Sequence, residues 1–303
     1  PLAGGFSPDG EFPVIYGEKG GLQLSCEKSW RSEPCISEAF QLLNLHAGTR
    51  INVVPEFAEA SLGGSKELWE KLQQELEHCI EKDRYAISAD DNFMITVSAT
   101  GVGAHAATPW QGDNALCALL RFLRRLPLGP SGAADYVNAL SDLFGNDYDG
   151  TSAGIACQDA ISTPLTMCMT MLRIEDGHGC ARFDLRYPLS KMKDEIMKVV
   201  CTAAQKRGLE ITLDRANKPL YIPAEDPLVQ NLLCAYREVT GRTEKPITIG
   251  GGTYCREMPN TVAFGPVFPR EREVAHEADE FITIDNLITC AKIYAQAIYA
   301  LVR

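Results

Sequence analysis

The sequence predicts a mixed α/β protein built in two parts, and three observations carry that reading. Between Gly21 and about Asp214, candidate strands and helices alternate with hairpins, the pattern of an α+β layer on an antiparallel sheet. Two strands of that part are joined by Glu175-Asp-Gly-His-Gly179, whose Asp-Gly is tight-hairpin chemistry. From Asn217-Lys-Pro-Leu-Tyr-Ile-Pro onward the composition changes, and the remainder alternates strand and helix in the α/β manner.

Taken in order, residues 1–20 read as turns with a short strand at 13–16, since Gly4-Gly5 and Pro8-Asp9-Gly10 are turn formers. Residues 21–30 place Leu22, Leu24 and Cys26 on one face, as a half-buried strand does. A second strand is expected at 49–54, with Asn52 inside it. Leu68, Leu72, Leu76, Cys79 and Ile80 make the apolar stripe of a helix over 65–82. A strand at 93–99 runs into a helix over 114–126, with Asp113 as its expected cap. Helices follow at 133–144, 190–207, 226–240 and 285–302. Strands follow at 165–174, 179–187, 210–213, 246–249 and 261–264, and residues 146–163 read as loop.

The apolar fraction of 45% and charged fraction of 23% are those of an ordinary globular protein. A net charge of −11 argues against nucleic acid as a partner. No apolar run approaches the length that spans a bilayer, which argues against a membrane partner. No secretory signal is visible, although the chain opens on Pro1 and not on Met. The 11 cysteines are scattered without a Cys-x-x-Cys pair, which reads as reduced thiols in the cytoplasm and not as a zinc–cysteine site.

The chemistry-bearing residues gather around 250–286. Gly250, Gly251 and Gly252 lack a Cβ, so a ligand can approach their backbone closely and their amides can face an anion. His276 sits in Ala-His-Glu-Ala-Asp-Glu. A neutral imidazole there suits a metal, with Glu277 or Asp279 as acceptors for its other nitrogen, but spacing alone favours a solvated acidic turn. Asp9 is either a plain turn residue or a carboxylate projected from a strand end. Asn52 is either satisfied locally or aimed at a ligand. His105 stands among small residues that leave its ring accessible. Arg186 shares a strand face with Arg182 and Asp184, and is either a surface charge or a fixed carboxylate clamp.

Four segments, in this order, resemble one family: Gly5-Phe-Ser-Pro-Asp9, Gly103-Ala-His105 with Pro109-Trp-Gln-Gly-Asp-Asn-Ala115, Phe183-Asp-Leu-Arg186-Tyr-Pro, and Gly250-Gly-Gly-Thr-Tyr-Cys-Arg256 through Ala275-His276. The wording is similar to the PepV-type dipeptidases, di-zinc exopeptidases related to carnosinases and aminoacylases, and it covers nearly the whole chain. The resemblance implies a zinc-exopeptidase catalytic domain, here residues 1–20 with 221–303, and an inserted α+β lid domain over 21–220. It implies that Asp9 and His276 are ligands of the two zincs, with Mn or Co as alternative metals. By the same resemblance His105 is the lid donor to the tetrahedral oxyanion. Asn52 and Arg186 hold the substrate carboxylate, and the backbone of Gly251, Gly252 and Thr253 forms the wall beside it. The types suit the reaction: paired metals activate a water, a positioned donor meets the developing charge, and a planar fork meets a free carboxylate.

The sequence also departs from the family. The family's N-terminal portion carries a His-x-Asp motif that binds and bridges the zincs, and an adjacent Glu pair that supplies the general base. None of His46, His78, His105, His178 and His276 begins such a motif, and no Glu-Glu occurs. The expectation is therefore a zinc-dependent dipeptidase chain lacking its N-terminal metal-binding segment and inactive by itself. A half-built catalytic sheet predicts self-association or pairing with that missing segment. The substrate would be a dipeptide or an acyl-amino acid. The alternatives are an N-acyl-amino-acid amidohydrolase on the same scaffold and a non-catalytic lid-type binding or dimerisation module.

Overall fold

The computed structural model describes residues 4–31, 38–145, 147–271, 274 and 279–302. Two large sheets, with a two-stranded one formed by Gly10–Glu11 and Pro266–Val267, organise the mixed α/β fold of the described residues. The larger has eight strands in the spatial order Ile211–Asn217, Gly20–Ser29, His178–Tyr187, Thr166–Glu175, Gln41–Ala47, Phe57–Gly63, Met94–Thr100 and Tyr85–Ala89. Every neighbouring pair is antiparallel. The hairpin read from Asp-Gly is present: Asp176 (φ 49°) and Gly177 (φ 75°) supply the two positive-φ positions of a tight turn.

Among the described residues there are six α-helices: α1 (Lys66–Glu77), α2 (Ala115–Leu123), α3 (Gly132–Phe144), α4 (Lys193–Gln205), α5 (Pro227–Thr240) and α6 (Ile284–Leu301). α2 is apolar on nearly all sides because it is buried on nearly all sides, with Leu116, Leu119, Leu120, Phe122 and Leu123 in the core of the larger sheet. Its cap is Asn114, and not Asp113 as the sequence suggested. The Asn114 Oδ1 accepts from the Cys117 amide at 3.1 Å, while its Nδ2 donates to the Met169 carbonyl at 2.9 Å. Asp113 turns outward to pair with Arg84 at 2.9 Å.

The strand expected at 49–54 is also corrected. The strand is Gln41–Ala47, and residues 51–52 form a turn. Gly48 ends the strand at φ 74°, where a Cβ would lie 1.9 Å from the Thr170 carbonyl oxygen. The strands Phe57–Gly63 and Tyr85–Ala89 had no counterpart in the sequence reading. The first buries Ala58, Ala60 and Leu62, so its alternation is written largely in alanine, which carries little strand preference.

The second sheet runs Gly5–Ser7, Thr261–Ala263, Ile15–Glu18, Leu220–Tyr221, with Ile247–Ile249 pairing parallel to Ile15–Glu18. α5 and α6 pack together over it, around Phe12, Tyr236, Phe264 and Phe268. The Phe12 ring lies 5.3 Å from Tyr236 and 5.0 Å from Phe264, within the range where aromatic pairs attract beyond their area.

The chain passes between the sheets twice. Lys19 alone separates Ile15–Glu18 of the second sheet from Gly20–Ser29 of the first, and the return lies between Asn217 and Leu220. At Gly20 a Cβ would fall 2.0 Å from Cζ of Tyr187, so the ring of one strand lies flat on the bare backbone of its neighbour. Among the described residues no helix is long and apolar enough to cross a membrane.

Candidate active site

The loop at 250–254 is where the segments singled out by sequence meet. On one side stands Asp9, after the Gly5–Ser7 strand, whose Oδ2 accepts the Tyr254 amide at 3.2 Å. On the other side is the His105 loop. A Cβ at Gly250 would lie 3.2 Å from Cβ of Ala107, so the missing side chain lets that loop close on the glycines.

His105 and Asn52 are brought together by backbone. Val53 and His105 form an isolated antiparallel bridge, with the Ala106 amide on the Asn52 carbonyl at 2.9 Å and the Val54 amide on the Ala104 carbonyl at 2.8 Å. Both side chains are exposed. The Ala107 amide donates to Nδ1 of His105 at 3.0 Å. In the neutral ring this fixes the proton on Nε2 and makes that edge a donor.

Arg186 is buried, and its Nε and Nη2 donate to Oδ1 and Oδ2 of Asp184 at 2.6 and 2.8 Å. One edge of the fork is therefore held by the same strand. Nη1 lies over Gly21, where a Cβ would come within 3.2 Å of it.

Thr253 is committed inward. Its amide and hydroxyl donate to the Glu18 carboxylate at 3.1 and 2.5 Å, so neither donor is left for a ligand. Glu18 also accepts from Nε of Arg256 at 2.6 Å, and Nη2 of Arg256 donates to the carbonyls of Gly251 (2.6 Å) and Lys19 (2.7 Å). Sequence reasoning missed Glu18 and Lys19 altogether and quoted Arg256 without giving it a task. The available signal was Gly17-Glu-Lys-Gly20, two charges directly after an apolar strand.

Lys19 is 1% exposed. Its Nζ donates to the Pro164 carbonyl at 2.5 Å and to Oγ1 of Thr163 at 3.3 Å. Burial, reinforced by the nearby Arg186 charge, pulls its pKa down to about 8.

His276, with Glu277, lies outside the described residues. Among the described residues no group of three His, Cys, Asp or Glu side chains could hold a metal ion. Asp9 is the expected metal ligand that falls within them. A single carboxylate does not by itself make a metal centre. Ten of the cysteines are free thiols, and burial raises the pKa of most of them, as at Cys26 (to about 11) and Cys117 (to about 12).

Residues 35–300 match the model of peptidase family M20/M25/M40. A Bacillus subtilis (strain 168) protein carrying the name "Putative dipeptidase YtjP" is 34% identical over 302 residues, which cover 99% of this chain and 64% of that protein. A similarly named Staphylococcus aureus (strain USA300) protein is 31% identical over 299 residues, 98% of this chain and 63% of its own length. The chain thus spans just under two thirds of the relatives it matches. Among solved structures, the aminoacylhistidine dipeptidase of Vibrio alginolyticus aligns over 97% of this chain and 63% of its own, with 13% identity and a TM-score of 0.49.

Proposed function

The chain belongs to peptidase family M20/M25/M40, and on that footing we propose that it is the substrate-gripping part of a cytoplasmic, zinc-dependent dipeptidase of the PepV type. The larger sheet with its helices, residues 21–220, acts as a lid on a catalytic domain formed from 1–20 and 221–303. The observation that carries this reading is the approach of Asp9 to the Tyr254 amide and of Ala107, two residues after His105, to Gly250 of the same loop. Family M20 members generally use divalent metals. Asp9 and His276 would hold the zincs, with Mn or Co as alternatives. A bound metal would supply an activated water and polarise the scissile carbonyl.

The chain's own residues bind and orient. Nε2–H of His105 is the donor to the oxyanion, because Nδ1 is already occupied by the Ala107 amide. Nη1 of Arg186 and the side-chain amide of Asn52 take the free carboxylate of a dipeptide, and the backbone at Gly251, Gly252 and Thr253 walls that end. Hydrolysis needs residues beyond those brought together here, since the sequence contains neither His-x-Asp nor Glu-Glu. A surface for self-association, or for a further catalytic segment, is supported by α6 and its approach, where Phe281, Ile284, Leu287, Ile298 and Tyr299 are all more than half exposed.

A hydrolysis assay with Ala-Ala and N-acetyl-alanine, with added Zn, Mn or Co, tests this. The chain alone is expected to be inactive, and a version extended to the length of its relatives is expected to cleave Ala-Ala preferentially and to lose that activity to a chelator. Preferential cleavage of N-acetyl-alanine by the extended protein would favour the amidohydrolase reading, and no hydrolysis of either would overturn the enzymatic reading.

A further inference from the structure

We infer that Glu18 and Arg256 are positioning residues, which tie the 250–253 loop to the point where the chain crosses between the two sheets. This rests on the reading of that loop as the wall of the substrate's carboxylate end.

The crossing is one residue long, and each of its polar groups is fixed. The Lys19 amide donates to the Ile249 carbonyl at 3.0 Å, the residue directly before the glycines. The Lys19 carbonyl accepts from Nη2 of Arg256, which also holds the Gly251 carbonyl. The Lys19 ammonium reaches the other way, to Pro164 and Thr163 of the larger sheet's side. Glu18 is fully buried, and its carboxylate takes the amide and hydroxyl of Thr253 together with Nε of Arg256. The Thr253 hydroxyl also accepts the Cys255 amide at 3.2 Å, and beyond this local cap the loop is held by Glu18 and Lys19, more than 230 positions earlier.

Charge and shape make the arrangement specific. Glu18 and Arg256 form one buried ion pair and Asp184 and Arg186 another, with Lys19 between them as a fifth buried ionic group. The five charges sum to +1, and the Asp159 carboxylate lies close enough to Lys19 to oppose the effect of burial on it. Arg256 also lies flat against Gly252, where a Cβ would come within 2.6 Å of Cζ. A lysine could keep the charge there, but it could not serve Glu18, Lys19 and Gly251 at once, because that needs a planar fork.

The consequence is that a change in the angle between the sheets is transmitted to the carboxylate wall through Lys19 and Arg256. Hydrogen–deuterium exchange on wild type, Glu18→Gln and Arg256→Lys tests this without requiring turnover. In both variants, peptides spanning 250–254 and 18–21 are expected to exchange faster by on the order of tenfold, the scale of one lost charged hydrogen bond, while peptides from 167–186 stay at wild-type rates. Wild-type exchange of the loop in Arg256→Lys, or an equal rise across both sheets, would overturn the inference. If Glu18→Gln does not fold, Arg256→Lys alone decides.

In the extended, hydrolytic protein, Arg256→Lys is expected to raise KM for Ala-Ala about tenfold and change kcat little, because the loop contacts the unreactive end of the substrate. A fall in kcat at constant KM would contradict a positioning role. Loosened exchange in a protein that hydrolyses nothing would leave this inference standing and remove the dipeptidase reading.

Discussion

The two sides of the proposed site are built on opposite principles. The side that would hold the substrate's carboxylate is made of buried charges. Asp184 with Arg186, Glu18 with Arg256, and Lys19 between them have almost no contact with water. The side that would meet the reacting carbonyl is exposed and is held by backbone. His105 sits on a two-residue bridge with Val53, and its ring accepts the Ala107 amide. Buried ionic groups hold a fixed shape but are costly to break singly, whereas an exposed ring on a short bridge can be removed without unfolding anything. The binding end thus doubles as structure, and the chemical end does not.

Removing one charge from the buried side should give the largest effect. Asp184→Ala leaves Arg186 buried without its partner and should cost about 3–5 kcal/mol in urea denaturation. A loss under 1 kcal/mol would mean that water reaches the fork and that the contrast drawn here is wrong.

Lys19 sharpens the comparison through pH. Its folded pKa is about 8 against an ordinary 10.5, so between these values the unfolded chain keeps a proton that the folded chain has released. Folding stability from this group therefore rises with pH across 8 to 10.5. Wild type should gain on Lys19→Met across that window by up to about 3 kcal/mol. Using the difference between the two proteins removes the opposing titration of buried tyrosines and cysteines. A difference that is flat with pH would show that Lys19 is hydrated.

Gly20→Ala forces a methyl into the Tyr187 ring and should cost about 1–3 kcal/mol. Gly251→Ala meets only Ile249 at 3.7 Å and should cost far less, so a reversal of that order would break the account of the crossing. The smallest effect on stability belongs to His105→Ala, within about 0.5 kcal/mol. In the extended, hydrolytic protein the same change should lower kcat by roughly 10²–10³.

What the sequence made legible follows the same division. Five of the eight strands of the larger sheet, the Asp-Gly hairpin and the six helices of the described residues were readable because periodicity and turn chemistry are local. Residue type alone singled out His105, Arg186 and the glycines as candidates. Glu18 and Lys19 were not singled out, because their importance comes from partners such as Arg256, which lies more than 230 residues away. The cap of α2 was misplaced by one residue because Asp113 and Asn114 are both good caps. The choice was made by Met169, which accepts the Asn114 amide, and by Arg84, which draws Asp113 outward. The turn at 51–52 was misread as strand because Gly48, not the apolar run after it, decides where the strand stops.

The central claim is that the 250–253 loop with Arg186 recognises a free carboxylate, and calorimetric titration of the chain with Ala-Ala and with Ala-Ala amide tests it most directly. The account predicts that Ala-Ala binds and that the amide binds at least about tenfold more weakly, since it loses a charge-assisted hydrogen bond. Equal affinity for acid and amide would contradict it.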